Sequence, residues 1–282
     1  MYETHTHTPL CKHAIGEPEE YAQVASDRGL RGLIVTCHNP MPDGFGSHVR
    51  MAPEQLDEYR ELVGRARARW AGRLDIRLGI EADYFPGYEA WLERQLTSVD
   101  FDYVLGAVHP QLPEFEARYG GGSEFEFQRT YFRLLAEAAE TRLFDCLAHP
   151  DVIKSVRPAH WQPEAILDDV RRALDRIAPT GVALEINTSG AHKDYPEMNP
   201  FPVMLAEARR REIPVVIGSD AHRPERVGAL FEQALDLAER AGYQQVSYFL
   251  GRKRHAITLD AFREVLRPVQ ADSTSDSSPS SG

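Results

Sequence analysis

The sequence predicts an α/β fold, a closed or nearly closed β/α barrel of mostly parallel strands. Two observations predict it. Short β-branched runs alternate with longer amphipathic stretches from one end of the chain to the other, the pattern of repeated strand–helix units. Seven such runs within 282 residues suit a barrel better than an open doubly wound sheet, and no Gly-rich phosphate loop follows the first run.

In chain order the strand candidates are YETHTHT, GLIVTCH, DIRLGIE, DYVLGAVH, FDCLAH, GVALEIN and PVVIGSDAH. Between them lie EPEEYAQVASDRG, APEQLDEYRELVGRARARWAG, SEFEFQRTYFRLLAEAAETR, QPEAILDDVRRALDRIA, FPVMLAEARRREI and RPERVGALFEQALDLAERAG, which repeat apolar residues at helical spacing. Gly29, Gly72 and Gly242 stand just past three of these patterns as stop signals. Near the end, QQVSYFLGRKRHAITL adds an eighth, irregular strand. No repeat or linker divides the chain, so one domain is expected over residues 1–267. From Pro268 onward, PVQADSTSDSSPSSG is polar, Ser-rich and aperiodic, and residues 268–282 are expected to be a disordered tail.

The net charge is −11, with both signs spread along the chain. Such a surface repels a nucleic-acid backbone, and RARARW reads as a solvated helix face. No apolar run is long enough to span a membrane, and MYETHTHT lacks the basic and apolar regions of a signal peptide. A cytoplasmic protein acting on a small metabolite is expected. Cys11, Cys37 and Cys146 form no spaced framework and read as small buried residues in a reducing compartment.

The ends of the strand candidates carry the chemistry. The first ends in His5 and His7, with His13 in the following loop; the second ends at His38, the third at Glu81, the fourth at His109 and the fifth at His149. The seventh ends in Asp220 and His222, whereas the sixth departs, ending in Glu185 and Asn187. Parallel strands of a barrel share one C-terminal rim, so these residues should converge. Seven of the eleven histidines fall in this set. With two carboxylates they make nine donors, too many for one ion with an open position, so two or three divalent ions are expected. Imidazole suits Zn²⁺, Mn²⁺ or Fe²⁺, with Glu81 able to bridge a pair. The excess positive charge favours an anion such as a phosphate monoester, and metal-assisted ester hydrolysis is the expected reaction.

The segments HTHTPLCKHA, HNPMPDGFG, GIEADYFPGYE, DYVLGAVH, AHPDVIK, LEINTSG and GSDAHRPERVG resemble the PHP (polymerase and histidinol phosphatase) superfamily, most closely its histidinol-phosphatase branch. The resemblance runs from residue 5 to about 228 in family order. It implies a distorted seven-stranded, TIM-like barrel with three metal ions at the C-terminal rim, and hydrolysis of L-histidinol phosphate. It further implies His5, His7, Glu81 and Asp220 around one ion, Glu81, His109 and His149 at a second, and His13, His38 and His222 at the third. Two positions depart from the family pattern: Cys37 precedes His38 where Asp is usual, and Pro150 follows His149 where Leu is usual.

Basic residues just after strand ends are candidate phosphate clamps: Arg50, Lys154, Arg157, Lys193 and Arg223. Glu17 is a candidate partner for a substrate ammonium. Asp220 and His222 are candidate proton donors to the leaving group. Two alternatives stay open. One is a related phosphoesterase acting on another small ester or nucleotide; the other is a non-catalytic metal-binding module.

Overall fold

The computed structural model describes residues 1–266; the tail reading for residues 268–282 lies outside the described residues. Successive side chains along the strands alternate between two apolar cores. Leu33, Val35, Val104, Leu147, Leu184 and Ile217 join Tyr21, Val63 and Leu135 of the helices in the larger core. Ile34, Tyr103, Leu105, Cys146, Ala183 and Val216, on the other face, form a smaller core with Phe249. Burial on both faces explains why the strand runs are continuously apolar instead of alternating with polar residues.

The described residues hold nine strands: β1 (Tyr2–Glu3), β2 (Gly32–Val35), β3 (Asp75–Asp83), β4 (Tyr103–Ala107), β5 (Cys146–Leu147), β6 (Ala183–Asn187), β7 (Val215–Gly218), β8 (Gln245–Leu250) and β9 (Lys253–Thr258). They pair in consecutive order as one sheet, parallel from β1 to β8 and antiparallel between β8 and β9. The seven expected strands are present as β1 to β7, and the single irregular eighth strand is corrected to two, β8 and β9. That last segment is a hairpin, because Gly251 and Arg252 both adopt positive φ and form a two-residue turn between Leu250 and Lys253.

The sheet is open along its ladder, yet its first strand also meets the seventh. An isolated parallel bridge, Thr6–Ala221, joins the continuation of β1 to that of β7. His7 N–H donates to Ala221 O at 2.9 Å, and Ala221 N–H donates to His5 O at 3.0 Å. Buried Glu3 reinforces the junction, accepting from the backbone N–H groups of His5 (3.0 Å), Ser219 (3.0 Å) and Gly228 (2.7 Å). Strands β1 and β5 are shorter than their sequence runs because the backbone beyond them turns to carboxylates. Glu3 takes the His5 amide, and Glu185 takes the His149 amide at 2.9 Å.

The helices are α1 (Pro18–Asp27), α2 (Leu56–Trp70), α3 (Glu89–Ser98), α4 (Pro113–Tyr119), α5 (Glu124–Glu140), α6 (Pro163–Ile177), α7 (Pro202–Arg210), α8 (Phe231–Arg240) and α9 (Leu259–Val265). Proline opens α1, α4, α6 and α7, where its missing N–H costs nothing. Ser123 and Glu126 open α5 with reciprocal side-chain-to-backbone bonds, the S-x-x-E signature. The six expected helices are present, while α3, α4 and α9 stand outside the expected set. Among the described residues no helix is long and apolar enough to cross a membrane.

Candidate metal centre

Each polar residue sits at, or just past, the C-terminal end of a strand. His5 and His7 follow β1, and His38 lies beyond β2, bridged to Glu81 of β3. His109 follows β4, His149 follows β5, and Asp220 and His222 follow β7. His13 enters from the turn after residues 9–11. The structure brings all nine together. Ring centroids step from His13 to His222 (4.4 Å), His7 (3.9 Å) and His38 (4.5 Å). They continue from His38 to His109 (5.2 Å), His149 (5.0 Å) and His5 (6.0 Å), and His5 returns to His7 at 5.1 Å.

Glu81, 1% exposed, occupies the middle of this circuit. Its Oε1 lies 2.9 Å from His149 Nε2 and 3.5 Å from His109 Nε2. Its Oε2 lies 2.8 Å from His38 Nδ1, 3.5 Å from His5 Nε2 and 3.7 Å from His7 Nε2. Asp220 Oδ1 lies 3.1 Å from His7 Nε2. Five sets of donor atoms each gather within 4.8 Å: His5, His7 and Glu81; His38, Glu81 and His109; His7, His38 and His222; His7, Cys11 and Cys37; and Cys11, His13 and His222.

The donor set fits divalent ions. His5 Nε2, both nitrogens of His7, His149 Nδ1 and His222 Nε2 are buried without a hydrogen-bond partner among the described residues, and His38 Nδ1 and Glu81 Oε2, though 2.8 Å apart, are not aligned for a hydrogen bond. Buried polar atoms almost always find partners, and so many orphans around one carboxylate is an arrangement that cations satisfy.

Electrostatics agree. Burial opposes charge on His5, but Glu185, Asp220 and Glu81 raise its pKa well above the usual imidazole range. Burial is likewise overcome at His7, raised to about 10 by Asp220 and Cys11, and at His109, raised to about 9 by Asp83 and Glu81. Burial lowers His38 to about 3 and His222 to about 4. The carboxyls of Glu81 and Asp220 are held well below their ordinary range against burial, by His38, His5 and His109 in the first case and by His5 and His7 in the second. The acids therefore draw protons onto some imidazoles when no other cation is present, and a divalent ion would replace those protons.

Several supporting residues escaped sequence reasoning. Glu185 Oε1 pairs with His5 Nδ1 at 2.7 Å, while its Oε2 accepts from Asn187 Nδ2 at 2.8 Å. The signal was present, since the sixth strand was the one whose end, at Glu185 and Asn187, lay outside the expected ligand set. Asp83 bonds His109 Nδ1, and its place two residues after Glu81 on the same strand was the available clue. Ser189 Oγ donates to Asp220 Oδ2 at 2.9 Å. Cys37 lies with Cys11 and His7, their donor atoms within 4.8 Å of one another, and all three cysteines are buried and free. Backbone strain marks the site as well: His149 and Asp220 adopt φ of 29° and 50°.

Gly218 leaves room for the Glu185–His5 pair. A β-carbon there would meet the Glu185 carboxylate and stand 2.8 Å from His5 Cβ. Gly218→Ala is expected to cost about 1–3 kcal/mol in chemical denaturation and to weaken metal binding in titration.

Of the six residues read as substrate-binding, the structure brings only Lys193 to the cluster, its Nζ 3.8 Å from Asp220 Oδ2. The other five lie against opposite charges of their own, and Arg50 and Lys154, buried in ion pairs, are corrected from clamps to struts. Arg50 is buried against Asp83 and Asn39. Lys154 is fully buried, and Asp151 (3.0 Å), Glu197 (3.1 Å) and Met198 O (2.7 Å) take its three donors. Arg157 pairs with Glu116 and Glu124, the exposed Arg223 lies 3.7 Å from Glu225, and Glu17 pairs with Arg65 beside the start of α1. Strand-end position alone could not separate clamps from struts, because acids from distant segments take Arg50 and Arg157, distant Arg65 takes Glu17, and Lys154 is shared between nearby Asp151 and distant Glu197.

An α/β scaffold whose parallel strands deliver seven imidazoles and two carboxylates to one polar cluster defines a class of candidate polynuclear metal proteins. Residues 3–189 match the PHP domain model, and residues 205–243 match the PHP-associated model. A protein of Deinococcus radiodurans named as a probable histidinol-phosphatase is 41% identical over 254 residues, 88% of this chain and 96% of that one. The histidinol-phosphatase of Bacillus subtilis is 27% identical over 267 residues, 82% of this chain and 97% of that one. A crystal structure of histidinol phosphate phosphatase from Lactococcus lactis, complexed with zinc, L-histidinol and phosphate, matches with a TM-score of 0.75. That structure is 19% identical and covers 90% of this chain and 98% of its own. The chain belongs to the PHP domain family, in its histidinol-phosphatase branch.

Proposed function

We propose that this chain is a metal-dependent phosphoric monoester hydrolase converting L-histidinol phosphate and water to L-histidinol and phosphate, a late step of histidine biosynthesis in the cytoplasm. One observation carries the reading: seven imidazoles and two carboxylates, drawn from positions 5 to 222, meet around Glu81. The identity with the Deinococcus protein supports the substrate. We read β1 to β7 as a distorted seven-stranded, TIM-like barrel in a single domain over residues 1–267. The Thr6–Ala221 bridge would close it, and the β8–β9 hairpin is appended.

In this reading three divalent ions are held: one by His5, His7, Glu81 and Asp220, one by Glu81, His109 and His149, and one by His13, His38 and His222. Zinc is the first choice, as in the Lactococcus complex, with manganese and iron as alternatives. Such ions, when bound, polarise phosphoryl oxygens and bring the pKa of water near neutral. The chain's own residues do the rest. Lys193, beside Asp220, offers an ammonium to a phosphoryl oxygen. Asp220, whose Oδ2 accepts from Ser189 Oγ, is ionised, so it would first take a proton from the attacking water and then return it to the leaving alkoxide, with neutral His222 beside it as the alternative relay.

Turnover measured across a panel of phosphate esters, before and after chelation, tests the function. Selectivity for L-histidinol phosphate, lost on chelation and restored by zinc, manganese or iron, is expected. Equal turnover of sugar phosphates and nucleotides would remove the substrate assignment, and full activity in metal-free protein would remove the mechanism. Lys193→Ala is expected to raise KM for the ester about tenfold with metal content unchanged. Steady-state kinetics with elemental analysis checks that split.

A further inference from the structure

We propose that Asp83, held by Arg50, is a positioning residue that locks His109 in the tautomer able to present Nε2 to a metal ion. The proposal rests on the reading of His109 as a ligand. His109 Nδ1 bonds Asp83 Oδ1, while its Nε2 lies 3.5 Å from Glu81 Oε1, inside the cluster. The other oxygen of Asp83 receives Arg50 Nη2. Both side chains are sealed from water, Asp83 at 2% and Arg50 at 1% exposure. Asn39 Oδ1 accepts from Arg50 Nη1 (3.2 Å) and from the Asp83 N–H (3.1 Å). Asn39 Nδ2 donates to Gln95 of α3 at 2.8 Å. One buried network thus ties the residue after His38, the residue two past Glu81, and His109 itself.

Hydrogen-bond polarity decides what this network does. A carboxylate accepts at both oxygens, so Asp83 serves His109 Nδ1–H and Arg50 together. Guanidinium only donates. In Asp83→Asn the amide must therefore turn its oxygen to Arg50 and its NH2 to His109. Nδ1 then becomes the acceptor, and the imidazole proton moves to Nε2, the nitrogen that faces the cluster. Removing Arg50 as well frees the amide to turn its oxygen back toward Nδ1. A residue that merely fills space predicts the opposite, with the double variant worse than either single one.

Zinc titration of chelator-stripped protein against a competing indicator tests this, using His109→Ala, Asp83→Asn, Arg50→Met and the double variant Asp83→Asn/Arg50→Met. Asp83→Asn is expected to weaken zinc binding by roughly 10–100-fold, near the loss in His109→Ala, and the double variant to recover several-fold. Native zinc affinity in Asp83→Asn beside a weakened His109→Ala, or no recovery in the double variant, overturns the positioning role alone. Native affinity in His109→Ala overturns the ligand reading and the positioning role together. Imidazole 15N shifts of zinc-loaded wild-type protein give a measurement that needs no Asp83 variant to fold. The His109 proton is expected on Nδ1, and finding it on Nε2 overturns the proposal.

Discussion

Glu81→Gln is expected to leave a folded protein that has lost most of its bound metal and at least about 10³-fold in turnover, some 4 kcal/mol of transition-state stabilisation. The carboxylate stands within 3.7 Å of five imidazoles, three facing Oε2 and two facing Oε1. An amide keeps the shape but withdraws the negative charge and turns one NH2 toward nitrogens that need an acceptor or a cation. Elemental analysis of purified protein, with turnover measured in excess metal, reads both losses. Native metal content with native turnover would remove Glu81 from the centre.

Glu185→Ala is expected to act first on stability. Glu185 is fully buried and serves the His5 ring, the His149 amide and the Asn187 side chain at 2.7, 2.9 and 2.8 Å. Truncation leaves these three donors without an acceptor in a dry interior, a loss of about 3–5 kcal/mol in denaturant unfolding. Metal affinity should fall roughly 10–100-fold as well, because His5 loses the partner that orients its ring. Glu185→Gln, which keeps an oxygen for one donor, should lose less of both. An unchanged denaturation midpoint in the alanine variant would contradict the role.

The nine clustered residues could be read from sequence because a parallel sheet turns strand ends into neighbours, so that a one-dimensional coincidence became a three-dimensional one. Arg50 and Lys154 could not be read in this way. Asp83 lies 33 positions from Arg50, and Lys154 is shared between Asp151, three positions away, and Glu197, 43 positions away; a cation in a mouth loop looks the same whether it faces solvent or an acid. Helix α4 was hidden for another reason: seven residues give too few turns for a periodic signal. The β8–β9 hairpin was partly visible as strand-forming sequence. Its turn, Gly251–Arg252, places a non-glycine residue at positive φ, which composition does not announce.

The junction between Glu3 and the Ser219–Gly228 segment has a consequence for synthesis. His5 and His7 are synthesised more than two hundred positions before Asp220 and His222, which face them. A nascent chain therefore holds an unfinished cluster until residue 222 is added, and contacts of such long range are slow to form. A ribosome stalled before residue 222 would carry a chain that lacks the last member of the cluster.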